Sequence, residues 1–286
     1  MVRTADTRIR ILREGENVQI EPYGKHVIRV RAAAGEIQDL DWTLLPPGEA
    51  KAEIRKEEND AVLVNGNILA RVTEDGQISF WNQKGELLFA ELWRNERDTA
   101  ARVIRGHQGG LFHLEQHIRP MEGEHFFGLG QEAHDLFDLK GATLDLCHQN
   151  TKSTIPFVLS SRGYGFLWNN PAIGRAEFGT SETRWVAEAA RQIDYLVIAG
   201  DRPGDIEKIY CQLTGFAPEF PEWATGLWQS KLRYETQEEL LEVAREYKRR
   251  GIPLSMIVCD YFHWPQQGDW KFDKAYWPDP EAMVKE

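Results

Sequence analysis

The sequence lacks the features that identify disulfide-rich, zinc-binding, membrane-spanning and secreted proteins. Its 286 residues include only three cysteines, Cys147, Cys211 and Cys259, which are widely spaced and form no Cys-x-x-Cys pair. This number and spacing predict neither a disulfide framework nor a zinc site, and they fit a reducing cytoplasm. No apolar run approaches the roughly 20 residues of a membrane-spanning helix. The first residues also lack the apolar core of a signal peptide.

Basic residues are fewer than acidic residues. The sequence has 34 lysines and arginines against 45 aspartates and glutamates, which gives a formal net charge of −11. A surface with this charge repels phosphate backbones and anionic lipid headgroups, so we expect neither nucleic acid nor a membrane as a partner. The sequence contains no phosphate-binding glycine loop, no complete dinucleotide-binding motif and no Ser-His-Asp order.

Tryptophan, in contrast, is abundant, and five of the ten tryptophans lie between residues 223 and 286. Flat rings near exposed carboxylates suit sugars, because the C–H faces of a sugar stack on aromatic rings while its hydroxyls form hydrogen bonds. The alternative for any single tryptophan is an ordinary place in the core.

The first 120 residues predict antiparallel sheet. Residues 8–11, 18–21 and 27–31 alternate apolar and polar side chains with a period of two, which is typical of half-buried strands. Turn signals separate these segments, and Asp75-Gly76 predicts a two-residue hairpin in which both residues have positive φ. Many short strands without intervening helical patterns favour a sandwich or barrel. Residues 203–214 predict one short helix. Two prolines in residues 217–223 then predict a domain boundary, which gives domains 1–221 and 222–286.

The second domain begins with a predicted βαβ unit. Residues 226–234 and 254–260 predict buried strands, and residues 236–250 predict an amphipathic helix with Thr236 as N-cap and Glu239 completing a capping box. A further helix is predicted to start after Asp279. Parallel strands are almost always covered on both faces. We therefore expect this chain to be the front of a longer protein.

Asp260 is the best candidate for chemistry, because active-site residues in parallel α/β folds collect at the carboxyl ends of strands. The alternative is a carboxylate that caps a loop or pairs with an arginine. Asp269 and Asp273, in the following loop, are weaker candidates. His113 and His117 have helical metal-ligand spacing but lie in a predicted strand that places them on one polar face with Glu115. His134 and His148 are candidates for acid and base in a sugar mutarotase.

Four motifs resemble glycoside hydrolase family 31, in particular its bacterial α-xylosidase and α-glucosidase branch. They are residues 126–131, 161–171, 224–234 and 257–264. The resemblance implies a mainly β fold, with an antiparallel galactose-mutarotase-like β-sandwich followed by the opening βαβ unit of a (β/α)₈ barrel. It also implies a retaining α-glycosidase that needs neither a metal nor an organic cofactor.

The resemblance assigns substrate binding to Asp260, which matches the family's aspartate that hydrogen-bonds sugar hydroxyls. It places Tyr261 and Phe262 in the wall of the same subsite, with Trp264 beside them, and it makes Arg233 a substrate-facing side chain after the first strand. Asn150 stands where many members carry an aspartate, and an amide can donate a hydrogen bond as well as accept one.

No residue of this chain matches the family's nucleophile or acid/base, so we expect residues 1–286 alone to be inactive. The alternatives are a non-catalytic carbohydrate-binding sandwich and an aldose mutarotase. Whether xylose or glucose is preferred rests on the subsite wall, and bulky Tyr261 and Phe262 favour xylose. Uncovered apolar faces of the incomplete barrel, including Leu241, Met256 and Val258, also predict self-association.

Overall fold

The computed structural model describes residues 1–5, 7–13, 15–40, 42–93 and 101–286. Its contacts divide the chain into two compact units, Met1–Phe216 (unit 1) and Ala217–Glu286 (unit 2). The domain boundary that the sequence places after residue 221 stays a prediction.

The regular structure of unit 1 is mainly antiparallel strand in its described part. They are β1 (Val2–Ala5), β2 (Arg8–Arg13), β3 (Glu16–Pro22), β4 (Val27–Ala33), β5 (Ala52–Glu57), β6 (Asp60–Asn65), β7 (Ile68–Val72), β8 (Ile78–Asn82), β9 (Leu87–Ala90), β10 (Arg102–Gly106), β11 (Phe112–Ile118), β12 (Phe126–Gln131), β13 (Thr143–Leu146), β14 (Ser153–Ser160), β15 (Tyr164–Trp168), β16 (Gly174–Phe178), β17 (Thr183–Ala190) and β18 (Ile193–Ala199). A 3₁₀ turn, Gln108–Gly110, connects β10 to β11.

These strands form three antiparallel sheets within the described ranges. The large sheet has the order β1-β2-β3-β4-β18-β15-β14-β12, the second has the order β10-β11-β17-β16-β13, and the third runs in sequence from β5 to β9. Rings from the large sheet contact rings from each of the other two: Phe166 stacks on Trp185 at 4.9 Å, and Tyr164 lies 5.1 Å from Phe89. The two smaller sheets therefore pack on one face of the large sheet, as the predicted sandwich requires.

The opposite face of the large sheet is covered too. Helix α1 (Pro203–Thr214) packs Ile206 and Leu213 against Leu196 and Ile198 of β18. Residues 36–40 cover the polar part of this face, and Arg31 donates to the Gln38 carbonyl at 3.1 Å. This double coverage buries β4 and β18 along their whole length. The predictions that residues 18–21 and 27–31 form half-buried strands are wrong, because both segments are fully buried, although the strands themselves are confirmed.

Unit 2 begins with a 3₁₀ turn, Glu222–Thr225, and contains the predicted βαβ unit. Strands β19 (Trp228–Gln229) and β20 (Met256–Ile257) pair in parallel, and helix α2 (Gln237–Arg249) connects them. Thr236 caps α2 by accepting a hydrogen bond from the Glu239 amide at 3.2 Å. A third helix, α3 (Pro280–Lys285), starts at the predicted cap Asp279.

Two expectations about unit 2 are wrong. Each strand is only two residues long, Trp228 is exposed and residues 256–259 are half-buried, so neither residues 226–234 nor residues 254–260 form a buried strand. Leu241 was expected on an uncovered face, but it is 7% exposed in a small core with Leu240, Tyr234 and Trp277. Burial of this face is the reason that α2 is ordered over its predicted length.

No helix in the described part of the chain is both long enough and apolar enough to span a bilayer.

We expect the amide protons of β19 and β20 to exchange with solvent about a hundredfold faster than those of β4 and β18. The physical reason is that short, half-exposed strands open without disrupting a large core. Hydrogen exchange followed by mass spectrometry on the whole chain measures the difference, with β13, an edge strand of unit 1, as an internal reference. Equal protection in the two units would contradict the expectation.

Candidate active site

Asp260 lies just beyond the end of β20, at the edge of unit 2 where the carboxyl ends of both parallel strands meet. The Val258 amide donates to the Gln229 carbonyl at 2.9 Å and extends the pairing towards this edge. The Asp260 side chain is exposed, and its Oδ1 accepts a hydrogen bond from the Tyr261 amide at 2.8 Å. The site thus presents a carboxylate to solvent at the position where the strand order predicts it.

Aromatic side chains lie beside this carboxylate. Tyr261 stacks on Phe262 with ring centroids 4.0 Å apart, and Trp264 lies 6.2 Å from Tyr261. The Arg233 guanidinium, which follows β19, lies 4.7 Å from the centroid of Phe262. The structure therefore brings Arg233, Tyr261, Phe262 and Trp264 together.

Arg233 and Phe262 both have left-handed backbone conformations, with φ of 68° and 76°. Such conformations cost roughly 1–3 kcal/mol for residues other than glycine, and they persist where the surrounding structure holds them. Strain of this kind concentrates at ligand clamps and active sites. Here the two residues with this conformation, which follow two neighbouring strands, place a guanidinium group over a phenyl ring.

His263 is a site residue that the sequence reasoning did not select. Its Nδ1 lies 3.1 Å from the Asp260 carbonyl oxygen, and its own carbonyl accepts a hydrogen bond from the Asp273 amide at 2.8 Å. Its ring lies 4.9 Å from Phe272. His263 thus joins the Asp260 segment to the following loop. The available signal was its place within the aromatic run 261–264.

Gln229 anchors the end of β19 against α2. Its side-chain oxygen accepts a hydrogen bond from the Tyr247 hydroxyl, and its amide nitrogen donates to the Tyr234 hydroxyl at 3.2 Å. Tyr234 is 1% exposed. The residue that follows Arg233 therefore lies in the small core of unit 2.

The tryptophans of unit 2 separate into two roles. Trp277 is 1% exposed and belongs to the core, whereas Trp270 is 90% exposed and its ring lies 6.5 Å from Trp264. Trp264 and Trp270 thus extend the aromatic surface outwards from Tyr261, while Trp277 contacts the rings of His263 and Phe272.

The remaining acids and the nearby thiol have structural explanations. Asp269 pairs with Lys271 at 3.5 Å, and Asp273 accepts a hydrogen bond from the Ala275 amide at 3.0 Å in a turn. Burial, together with the charge of Asp260, raises the pKa of the Cys259 thiol to about 11. At neutral pH this thiol is protonated and is a poor nucleophile.

Asn150 lies in unit 1, in an exposed turn whose ends are bridged by Gln149 and Lys152. Lys152 donates to the Asp145 carbonyl at 2.6 Å and pairs with Glu132 at 2.9 Å, which fixes the base of the turn. The loop position predicted for Asn150 agrees with the structure. Its contact with sugar stays a prediction.

His134 and His148, the two candidates for acid and base, each form a hydrogen bond with a nearby backbone amide. His134 Nδ1 accepts a hydrogen bond from the Leu136 amide at 3.1 Å, and His148 Nδ1 accepts one from the Thr154 amide at 3.4 Å. Each ring thus uses one nitrogen to stabilise its own loop.

His113 and His117 flank Glu115 on β11, at 2.9 Å and 3.0 Å from its two oxygens. Hydrogen bonds from His117 and His113, with the charge of Arg184, lower the pKa of Glu115 to about 2 despite its burial. Burial opposes the charged form of His117, but its hydrogen bonds to Glu115 and Glu182 raise its pKa. Within the described ranges, no group of three or more histidine, cysteine or acidic side chains is arranged to hold a metal ion. The three residues form an ion-pair cluster.

Comparison with known proteins gives the same two parts in the same order. The description "Glycosyl hydrolase 31 N-terminal galactose mutarotase-like domain" matches residues 17–175, and "Glycosyl hydrolases family 31 TIM-barrel domain" matches residues 217–286. The confirmed fold is therefore an antiparallel galactose-mutarotase-like sandwich followed by the first βαβ unit of a barrel.

Two curated relatives match nearly the whole chain. An uncharacterized family 31 glucosidase of Pseudescherichia vulneris is 42% identical over 96% of this chain and 55% of its own length. An α-xylosidase of Saccharolobus solfataricus is 33% identical over 94% of this chain and 38% of its own length. The chain thus spans about half or less of these relatives.

Solved structures agree. A family 31 α-xylosidase from a soil metagenome, complexed with xylose, superposes with a TM-score of 0.93 at 43% identity, over all of this chain and 45% of its own. A xylosidase from Aspergillus niger superposes with a TM-score of 0.81 at 30% identity, over 98% of this chain and 42% of its own. Because the sandwich description alone matches more than half of the chain, the chain belongs to glycoside hydrolase family 31.

Proposed function

We propose that residues 1–286 supply the sandwich and the first sugar-holding residues of a retaining α-glycosidase that acts on α-linked xylosides or glucosides. The observation that carries the proposal is the strand-end constellation of unit 2, where an exposed carboxylate, Asp260, lies next to Tyr261 and Phe262 with Arg233 over the Phe262 ring. Charged acceptors hydrogen-bond sugar hydroxyls strongly, and flat rings cover the sugar's C–H faces.

In this proposal Asp260 holds hydroxyls of the sugar whose bond is cleaved. Tyr261, Phe262 and Trp264 form a wall, and Arg233 faces the substrate. Asn150, in an exposed turn of unit 1, is also assigned to sugar binding. Retaining cleavage needs two further carboxylates about 5 Å apart, one as nucleophile and one as acid/base. We assign neither role to a residue of this chain. We propose α-xylosides as the preferred substrates over α-glucosides. The bulky wall disfavours an extra hydroxymethyl group, and several relatives are named α-xylosidases.

We also propose a cytoplasmic location, which is supported by the free thiols of Cys147, Cys211 and Cys259. Self-association through unit 2 is part of the proposal. It is supported by the exposed apolar side chains Trp223, Leu227, Trp228 and Leu232.

A chimera tests the proposed function. Residues 1–286 of this chain are joined to the part of the Pseudescherichia vulneris relative that follows its matched region. We expect the chimera to hydrolyse p-nitrophenyl α-xyloside faster than p-nitrophenyl α-glucoside, while residues 1–286 alone release no nitrophenol. Turnover by the 286-residue chain would contradict the assignment of roles. A folded chimera that hydrolyses neither compound would contradict the function.

A further inference from the structure

The third sheet of unit 1 has an outer face that the core does not use. Its inner face buries Leu63, Ala70 and Phe80. On the outer face, the strand register places Val64 opposite Leu69, Leu69 opposite Trp81, and Trp81 opposite Leu87. All four side chains are partly exposed. The result is an apolar row that crosses four neighbouring strands.

A polar row runs beside it. Arg55 lies opposite Val62, and Val62 lies opposite Arg71. Val62 is 1% exposed although it faces outwards, because the aliphatic stems of the two arginines flank it. Both guanidinium charges are already compensated on the sheet, since Arg55 pairs with Glu53 and Arg71 pairs with Glu57 and Asp60. The polar row therefore offers hydrogen-bond donors with little net charge.

The polar row and three members of the apolar row, Val64, Leu69 and Trp81, line one groove of about 620 Å³, a volume typical of ligand sites. Asn82 and Gln83 also line it. The Trp81 indole nitrogen donates to the Ser79 hydroxyl at 2.9 Å, which fixes the edge of the ring to its own strand. Since neighbouring strands are about 4.8 Å apart, the groove from β6 to β8 spans about 10 Å, long enough for two linked pyranose rings.

We propose that this groove binds a neutral oligosaccharide. An indole ring with an apolar row beside it matches the C–H faces of sugars, and the planar guanidinium and amide groups match their hydroxyls. The compensated arginines and the net charge of −11 disfavour an anionic ligand. The groove lies wholly in unit 1, so the inference stands whether or not Asp260 holds a sugar.

Nuclear magnetic resonance of the ¹⁵N-labelled 286-residue chain tests the proposal, because each tryptophan gives its own indole N–H signal. The Trp81 signal is assigned by its loss in Trp81→Ala. We expect millimolar maltotriose or xylotriose to shift this signal saturably, and trigalacturonate, an anionic trisaccharide, to leave it in place. A Trp81 signal that neither neutral sugar moves would overturn the proposal, as would an equal response to trigalacturonate.

Variants locate the binding by calorimetry. Trp81→Ala is expected to weaken the affinity for the bound trisaccharide about tenfold. The matched control is Trp42→Ala, which removes a tryptophan that is 51% exposed and lies outside the groove. If Trp81→Ala fails to fold, Leu69→Asn tests the same row with a side chain of similar size. A dimer that sedimentation detects and that Trp81→Ala dissociates would identify a second copy as the occupant and overturn the proposal.

Discussion

Asp260→Ala is expected to lower kcat/KM of the chimera for p-nitrophenyl α-xyloside about a thousandfold, which corresponds to ~4 kcal/mol of lost transition-state stabilisation. The carboxylate lies exposed at the carboxyl end of β20 and is proposed to accept hydrogen bonds from sugar hydroxyls. Hydrogen bonds to a charged acceptor are roughly twice as strong as those to a neutral one. In glycosidases, such bonds strengthen as the ring flattens towards the oxocarbenium-like transition state.

The expected loss therefore falls mainly on kcat, because only interactions that strengthen in the transition state change kcat. Asp260→Asn should lie between the wild type and Asp260→Ala, since an amide oxygen still accepts a hydrogen bond but carries no charge. The measurement is steady-state release of nitrophenol over a range of substrate concentrations.

The matched control is Asp269→Ala, which removes an acid nine residues later in the same loop region. Asp269 pairs with Lys271 and has no part in the proposed subsite. We expect its kcat/KM to stay within about twofold of the wild type, because surface ion pairs contribute little. Equal losses in the two variants would show that the loop, and not the Asp260 carboxylate, is what the substrate needs.

Asp194→Ala is expected to destabilise unit 1 by about 3–5 kcal/mol. Asp194 on β18 and Arg29 on β4 form a bidentate pair, with Arg29 Nε 2.9 Å from Oδ1 and Arg29 Nη2 2.6 Å from Oδ2. Asn169 donates to the same Oδ2 at 2.9 Å. Both charged side chains are 3% exposed. Removing the carboxylate leaves the Arg29 guanidinium buried without its counter-charge.

Denaturant unfolding followed by tryptophan fluorescence measures the loss, with the unit 1 transition fitted separately because two units need not unfold together. Asp201→Ala is the matched control, since Asp201 pairs with Lys84 at 3.3 Å but both side chains are about 70% exposed. Its effect should lie within roughly 0–1 kcal/mol.

A double variant separates loss of attraction from uncompensated charge. Asp194→Leu combined with Arg29→Met should recover part of the stability, because an apolar pair carries no desolvation cost. A single Asp194→Ala variant that loses less than about 1 kcal/mol would contradict the argument.

Local signals in the sequence were enough to predict the helices. α1 has the predicted bounds, and α2 starts after the predicted cap, Thr236. These predictions succeeded because a cap and an apolar stripe lie within one turn or two of each other along the chain. The position of Asp260 after the second parallel strand followed in the same way.

The burial of two arginines could not be predicted, because it depends on residues far apart in sequence. The alternation predicts that Arg29 and Arg31 are on the exposed face of the strand, but Asp194 and residues 38–40 contact and bury them. The loop of the hairpin at Asp75-Gly76 is one residue longer than the two residues predicted. Of these two residues only Gly76 has positive φ, at 82°. The Thr73 amide donates a hydrogen bond to the Gln77 carbonyl across a three-residue loop. The role of His263 could not be predicted either, because it depends on contacts with the loop that contains Phe272 and Asp273.

Sheet order also has a consequence for synthesis. β4 lies in the middle of the large sheet, yet its partner β18 is the last strand of unit 1 to leave the ribosome. At ordinary translation rates the interval between them is on the order of ten seconds. During that time the hairpin β3–β4 presents an open edge and the apolar side chains Ile28 and Val30 to the solvent. Nascent chains of this protein are therefore expected to engage holdase chaperones until residue 199 has emerged, and slower elongation before β18 would lengthen that dependence.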